Sequence, residues 1–357
     1  MRLGIIGLPF VGKTTVYNLL TGAEEPIGSM VGGGHVGTET AVVDIPDSRL
    51  EALSDLLEPI KVTQAKITFV DVNGMQAGEG TIGVPGSLVN ELSPMDGFLH
   101  ILRAFEDPNV PHPPGPIDPS RDARDVEAEF LINDLIIVEK RLDRLEEERE
   151  KGARESGEIE REHALFSRLL DVLNGNQPLR SLSFSQEEER MLSGFGLLSK
   201  KPILLVGNLG EESPELEIDQ PKGCSGVVYL KGKLELEIAQ LSEEEAGFFI
   251  EEYAIEEPGR ARIFRAVCEM LDQISFFTFN EEELRAWTLK SGSSALDAAA
   301  TIHTDIARGF IRAEVIAWDE LIQIGGMNEA RTAGVLRIEG KDYRVADGEM
   351  IYIRFNI

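Results

Sequence analysis

Apolar positions along the chain fall into two alternating kinds of run. Segments 3–6, 66–70, 98–105, 202–207 and 226–230 are short, apolar and rich in β-branched residues, which predicts strands covered on both faces. Residues 15–20 carry apolar side chains at helical spacing, with Gly22 placed to stop the helix. Residues 106–120 turn to Pro, Asp and Gly and read as a loop. Beyond them Ile132, Leu135, Val138, Leu142 and Leu145 recur every three or four positions. A break at 152–157 follows, and then Ile159, Leu165, Leu169 and Leu173. That pattern predicts an inserted helical hairpin, partly a two-stranded antiparallel coiled coil. The charge run 146–151 is most simply its solvated tip, with partner docking as the alternative. From Phe279 the pattern becomes compact and β-rich: a strand over 283–288, a helix over 295–302 and a hairpin over 343–357 around Asp347-Gly348.

The chemistry is concentrated near the N-terminus. Gly7-Leu8-Pro9-Phe10-Val11-Gly12-Lys13-Thr14 spells G-x-x-x-x-G-K-[ST], fed by a predicted strand and left by a predicted helix. Such a loop curls so that successive N–H groups point at phosphate oxygens, and the helix adds its positive end. Pro9, Phe10, Val11, Gly12, Lys13, Thr14 and Thr15 are therefore candidate nucleotide contacts. Lys13 is the candidate catalytic cation, and the Thr14 hydroxyl a candidate Mg2+ ligand. Asp71, at a strand end and three residues before Gly74, fits a second phosphate-site element. The aspartate supports Mg2+, and the Gly74 N–H senses the γ-phosphate. The chain is expected to bind a nucleoside triphosphate.

Composition narrows the partners. A net charge of −28 over 357 residues argues against a broad electrostatic grip on nucleic acid, though not against a local basic groove. No apolar run approaches bilayer length, so no membrane association is expected. Arg2 leads straight into a strand, which predicts no signal peptide, and the two cysteines, Cys224 and Cys268, have no metal or redox spacing. A cytoplasmic protein with reduced thiols is the simplest reading.

Base recognition is the informative departure. GTPases of this general class end a strand in Asn-Lys-x-Asp, whose aspartate takes both hydrogen bonds from guanine. Here the strand ends in Asn208-Leu209-Gly210-Glu211. The longer carboxylate is not expected to meet guanine in the same bidentate way, and Leu209 can pack on a purine ring. Asn208, Leu209 and Glu211 are thus candidate base contacts, and ATP is expected over GTP.

These elements together resemble the Obg-like ATPase (YchF) family of translation-factor-related P-loop NTPases, with a C-terminal TGS domain. The resemblance covers nearly all of the chain. Its most specific stretches are Leu284-Arg285-Ala286-Trp287-Thr288, residues 302–316 from Ile302-His303-Thr304-Asp305 onward, and Glu339-Gly340-Lys341-Asp342-Tyr343. It implies an α/β protein with a mostly parallel sheet in its P-loop NTPase domain, an inserted coiled-coil hairpin, and a small α+β domain of ubiquitin-like β-grasp type. The corresponding ranges are 1–120 with 198–278 for the nucleotide domain, 121–197 for the insertion and 279–357 for the TGS domain. It also implies weak ATPase turnover with Mg2+ and a ribosome partner.

Three positions depart from the family's spelling. Phe10 stands where an asparagine is usual, and phenylalanine cannot ligate K+, so potassium stimulation is not expected. The first switch reads Gly32-Gly33-Gly34-His35-Val36-Gly37-Thr38-Glu39, with His35 near the usual threonine and Thr38 or Thr40 as possible substitutes after a shift. Met75 cannot orient water, so hydrolysis must be slow, rely on a remote group or partner, or be negligible. His100 reads as a packed strand residue, and His303 as structural or partner-facing. Two alternatives stay open: a nucleotide-gated binding protein with negligible hydrolysis, and a divergent GTPase.

Overall fold

The computed structural model describes residues 1–23, 38–72, 84–111, 115–151, 154–214, 216–253, 255–280 and 282–356. Among them the strands are β1 (Arg2–Ile6), β2 (Thr38–Asp44), β3 (Lys61–Thr63), β4 (Lys66–Val72), β5 (Gly97–Ala104), β6 (Ile203–Leu209), β7 (Val227–Leu230), β8 (Gln273–Phe279), β9 (Glu283–Lys290), β10 (Phe310–Ala317), β11 (Arg337–Glu339) and β12 (Glu349–Phe355). The protein is an α/β fold in which the chain divides into two compact units. One comprises Met1–Val42 and Thr68–Ala266, the other Val43–Ile67 and Val267–Ile357.

The first unit is built on a sheet ordered β2-β4-β1-β5-β6-β7. The pairs β1–β4, β1–β5, β5–β6 and β6–β7 are all parallel. Every residue of β5 and β6 is buried, as the continuous apolar runs predict for strands covered on both faces. Parallel strands place their carboxyl ends on one edge, where open α/β sheets bind ligands. That edge carries the residues following β1, β4 and β6.

Helices Pro119–Lys151 and Ser156–Asn174 form the expected hairpin. Leu131, Val138, Leu165, Phe166, Leu169 and Leu173 are buried in one cluster of this region. Toward its turn the pairing becomes ionic: Arg141 meets Glu162 at 2.7 Å and Glu148 at 2.9 Å, and Arg154 meets Glu162 at 2.8 Å. Within the charge run 146–151, then, Glu148 is an intramolecular partner, whereas Lys151 and Glu147 pair in solvent at 3.0 Å.

The second unit has a mixed sheet ordered β11-β10-β12-β8-β9-β3. Helix Ala295–Ile302 forms where the sequence predicts it. Ser294 caps it reciprocally with Asp297, and Ala295, Ala298 and Ala299 are completely buried beside Phe276, Val315 and Ile351. The expected hairpin over 343–357 does not form. β12 lies between β10, to which it runs antiparallel, and β8, to which it runs parallel. The preceding segment instead bonds the start of the helix, Ala295 N–H to Tyr343 O at 2.8 Å and Val345 N–H to Ser293 O at 3.1 Å. Residues 43–67, assigned from the sequence to the nucleotide domain, group with this unit. The reason is a pairing between distant segments: β3 adds to β9 in parallel, with Lys61 opposite Glu283 and Thr63 opposite Arg285.

Asp134 anchors the long hairpin helix to the segment entering β6. Completely buried, it accepts Leu198 N–H and Ser199 N–H, both at 2.8 Å, and the Ser199 hydroxyl at 2.6 Å. Removing the carboxylate strands two backbone donors. We expect Asp134→Ala to cost about 2–4 kcal/mol in denaturant unfolding; a loss below about 0.5 kcal/mol would show that those donors find other partners.

Candidate nucleotide-binding site

The loop after β1 is held by backbone conformations that its sequence only partly favours. Gly7 has φ +146° and Gly12 φ +95°, both open to glycine and hostile to other residues. A Cβ on Gly7 would lie 2.5 Å from Ile101 O, and one on Gly12 would lie 2.2 Å from Asn208 Nδ2. Phe10 also has positive φ, +64°, a region that asparagine tolerates far better than phenylalanine. The helix Lys13–Thr21 starts directly from the loop, and Gly12 gives its first N–H groups no side-chain acceptor. Gly22 ends it in the left-handed region, donating its N–H to Asn18 O at 2.8 Å.

Lys13 is folded into its own loop, donating to Gly7 O at 3.1 Å and Leu8 O at 2.9 Å. Burial pulls its pKa down to about 8, and the charge of Asp71 opposes that pull. The Thr14 hydroxyl donates to Asp71 Oδ2 at 3.1 Å. Asp71 is 2% exposed on β4, in register with Ile5 of β1. Thr14 and Asp71 thus pair two hard oxygen donors at a helix start, the donor chemistry that Mg2+ takes in phosphate sites. The structure brings Lys13, Thr14 and Asp71 together. Gly74, Met75 and His35 lie outside the described residues.

Asn208 is the last residue but one of β6 and is 4% exposed. Its amide nitrogen donates to Val11 O at 2.9 Å, and its amide oxygen accepts Gly232 N–H at 3.2 Å. It therefore ties the phosphate loop to the helix Gly232–Ala239. Leu209 is 7% exposed, and Glu211 stands on the surface, accepting the Tyr253 hydroxyl at 2.6 Å. His100 sits completely inside β5. Burial, followed by the charges of Lys13 and Arg180, lowers its pKa to about 3, so it is a neutral packed residue.

Two supporting residues were not picked out from the sequence. Glu235 is buried and accepts Lys231 N–H at 3.2 Å, Gly259 N–H and the Arg262 guanidinium at 3.4 Å. It fixes the turn entering the helix that Asn208 touches. Arg103, paired in register with Asn208, is 2% exposed and donates to Phe105 O, Asp107 O, Val110 O and Pro111 O. Its guanidinium also lies 4.5 Å from the Phe105 ring centroid. The available signal was an arginine inside an otherwise apolar strand.

The depressed Lys13 pKa has a measurable consequence. A phosphate anion favours charged Lys13, and in the free protein the ammonium is lost as pH rises through about 8. Triphosphate affinity is therefore expected to be flat below pH 7 and to fall above 8, approaching tenfold per pH unit in calorimetric titrations. Lys13→Met would bind weakly with no such slope, and a wild-type profile flat to pH 10 would contradict the assignment.

The geometry agrees with comparisons to known proteins. The YchF-GTPase_C family model, described as a protein of unknown function, matches residues 273–356. The chain is 35% identical over 377 residues to the ribosome-binding ATPase YchF of Bacillus subtilis (strain 168), covering all of both. It is 32% identical over 364 residues to the ribosome-binding ATPase YchF of Escherichia coli O157:H7, covering 100% of this chain and 99% of that one. The solved structure of the Schizosaccharomyces pombe YchF GTPase superposes with a TM-score of 0.84 at 25% identity, covering 99% of this chain and 97% of the other. With relatives this similar along its whole length, a family-specific C-terminal region and a phosphate loop in its expected setting, the chain belongs to the YchF family.

Proposed function

We propose that this protein is a Mg2+-dependent ATPase of weak intrinsic turnover, acting in the cytoplasm as a nucleotide-dependent switch on the ribosome. The observation that carries the reading is the convergence of buried Lys13 and Asp71 with half-buried Thr14 at the start of one helix, laced to β6 by Asn208. Thr14 and Asp71 would hold Mg2+, which when bound neutralises charge on the phosphate oxygens. Lys13 would exchange the Gly7 and Leu8 carbonyls for phosphate oxygens, giving up two neutral acceptors for charged ones. Phe10, Val11, Gly12 and Thr15 would line the phosphates with backbone N–H groups, Pro9, which has no N–H, would shape the loop beside them, and Gly74 would report the γ-phosphate.

ATP is favoured over GTP because Glu211 replaces the aspartate expected of a guanine reader. Asn208 then acts mainly by holding the loop, while Leu209 and Glu211 face the base. Residues 1–42, 68–120 and 198–266 are assigned to nucleotide binding, 121–197 to the helical insertion and 279–357 to a TGS domain, with 43–67 and 267–278 grouping beside the last. The switch would act by ordering or releasing segments 28–40 and 72–90 as the nucleotide changes. The names of the Bacillus and Escherichia relatives, both ribosome-binding ATPases, support the ribosome as partner. Among the described residues no helix is long and apolar enough to cross a membrane.

A second reading, nucleotide binding with negligible hydrolysis, is favoured by Phe10, which cannot ligate K+, by Met75, which cannot orient water, and by the altered first switch. Turnover assays with added ribosomes separate the two readings, since release of phosphate no faster than spontaneous hydrolysis would leave only binding.

Base choice is tested by calorimetric titration of nucleotide-free protein with non-hydrolysable ATP and GTP analogues in Mg2+. We expect the ATP analogue to bind at least about tenfold tighter, and Thr14→Ala to remove most of the Mg2+ dependence. Equal or tighter GTP binding would make this a divergent GTPase, and binding of neither would leave a structural adaptor.

A further inference from the structure

Beyond Asn208, the carboxyl end of β6 holds a polar contact that phosphate binding does not use. Tyr253 donates its hydroxyl to Glu211 Oε1 at 2.6 Å. Its backbone N–H closes the helix Glu243–Glu252 by donating to Phe249 O at 2.9 Å. Its ring stacks on Phe249 with centroids 6.5 Å apart and planes 20° from parallel. The Lys231 ammonium lies 6.0 Å from the centroid of the Tyr253 ring, within cation–π range. Lys231 immediately precedes Gly232, whose N–H is bonded to Asn208. Three separate segments, ending at Glu211, Lys231 and Tyr253, therefore meet at the candidate base-recognition position.

We propose that Tyr253 is a specificity-determining residue that withholds Glu211 from guanine; this deepens the reading of Asn208 to Glu211 as the base-binding element and rests on it. Guanine presents two adjacent donors, its ring N–H and its amino group, and a carboxylate meets both only by offering both oxygens. The phenol holds one oxygen of Glu211. Adenine presents an amino donor beside a ring nitrogen that accepts, so it asks one oxygen of the carboxylate and loses nothing to the tyrosine. The hydrogen bond to Glu211 raises the Tyr253 pKa, so the phenol stays protonated and donating across the neutral range. Stacking on Phe249 and the nearby Lys231 ammonium hold the ring in place.

The experiment is Tyr253→Phe, which keeps the ring and its packing and removes only the hydroxyl. Calorimetry with non-hydrolysable analogues should show GTP-analogue affinity rising about tenfold, the effect of one added charge-assisted hydrogen bond, with ATP-analogue affinity changed by less than about twofold. Unchanged GTP-analogue affinity in a variant that still binds the ATP analogue would overturn the proposal. Loss of both affinities would also overturn it, since Tyr253 would then support the site without selecting the base. A nucleotide-free readout separates this from failure of the site assignment itself. In ultraviolet titration of the wild type against Glu211→Gln, one phenol should ionise at lower pH in the variant, and coincident titrations would mean that the contact does not exist. Absence of ATP-analogue binding by the wild type would instead sink the nucleotide reading.

Discussion

Three backbone segments of the first unit come together because one buried amide can bond two of them at once. Asn208 donates to the phosphate loop at Val11 and accepts from the turn at Gly232. Both approaches need glycine on the far side: a Cβ would stand 2.2 Å from the amide nitrogen at Gly12 and 2.6 Å from the amide oxygen at Gly232. The constraint is mutual. Asn208 can be satisfied in the interior only if the loop comes close, and the loop comes close only where side chains are missing. The conformation of the loop before Lys13 and the position of the turn after β7 are set by the same side chain.

Much of this was legible in the sequence, for identifiable reasons. The loop and its helix were readable because the G-x-x-x-x-G-K-[ST] pattern sets Gly7, Gly12 and Lys13 at fixed spacing, and the pattern is local. The helix Ala295–Ile302 was readable because its cap, Ser294 with Asp297, lies beside its apolar face. What escaped depends on partners distant in the chain. Nothing near Lys61 announces that it will lie opposite Glu283, and nothing near Glu349 announces that β12 will be flanked by β8 and β10. The hairpin expected over 343–357 failed for that reason. Asp347-Gly348 makes a turn, but the chain before it pairs its backbone with the helix start and reaches the strand after it through the Glu349 carboxylate.

The same distinction applies within the site. Asn208 was recognisable as part of a base-recognition element, yet its two hydrogen bonds run to the loop and the turn. Glu235 and Arg103 carried no motif. Each is a charged residue placed among apolar ones, and its meaning lies in backbone groups that only the folded chain brings near. Arg103 collects four carbonyls of one loop, which no spacing rule foretells.

Charge gives the site its last constraint. A chain of net charge −28 repels a triphosphate at long range, but screening confines that repulsion to about 8 Å at physiological ionic strength. Attraction must therefore be local and desolvated. Burial supplies it by a route with a cost: it holds Lys13 and its helix start away from water, which strengthens their pull on phosphate, while lowering the pKa of that lysine to about 8. It also leaves His100, in the same interior, neutral beneath the charges of Lys13 and Arg180. Asp71 opposes that lowering and keeps Lys13 charged near neutrality, so the charge of an aspartate on β4 acting on a lysine at the helix start has a role before any metal is considered. An acidic protein can grip an anion here because its positive charge is concentrated where solvent cannot dilute it.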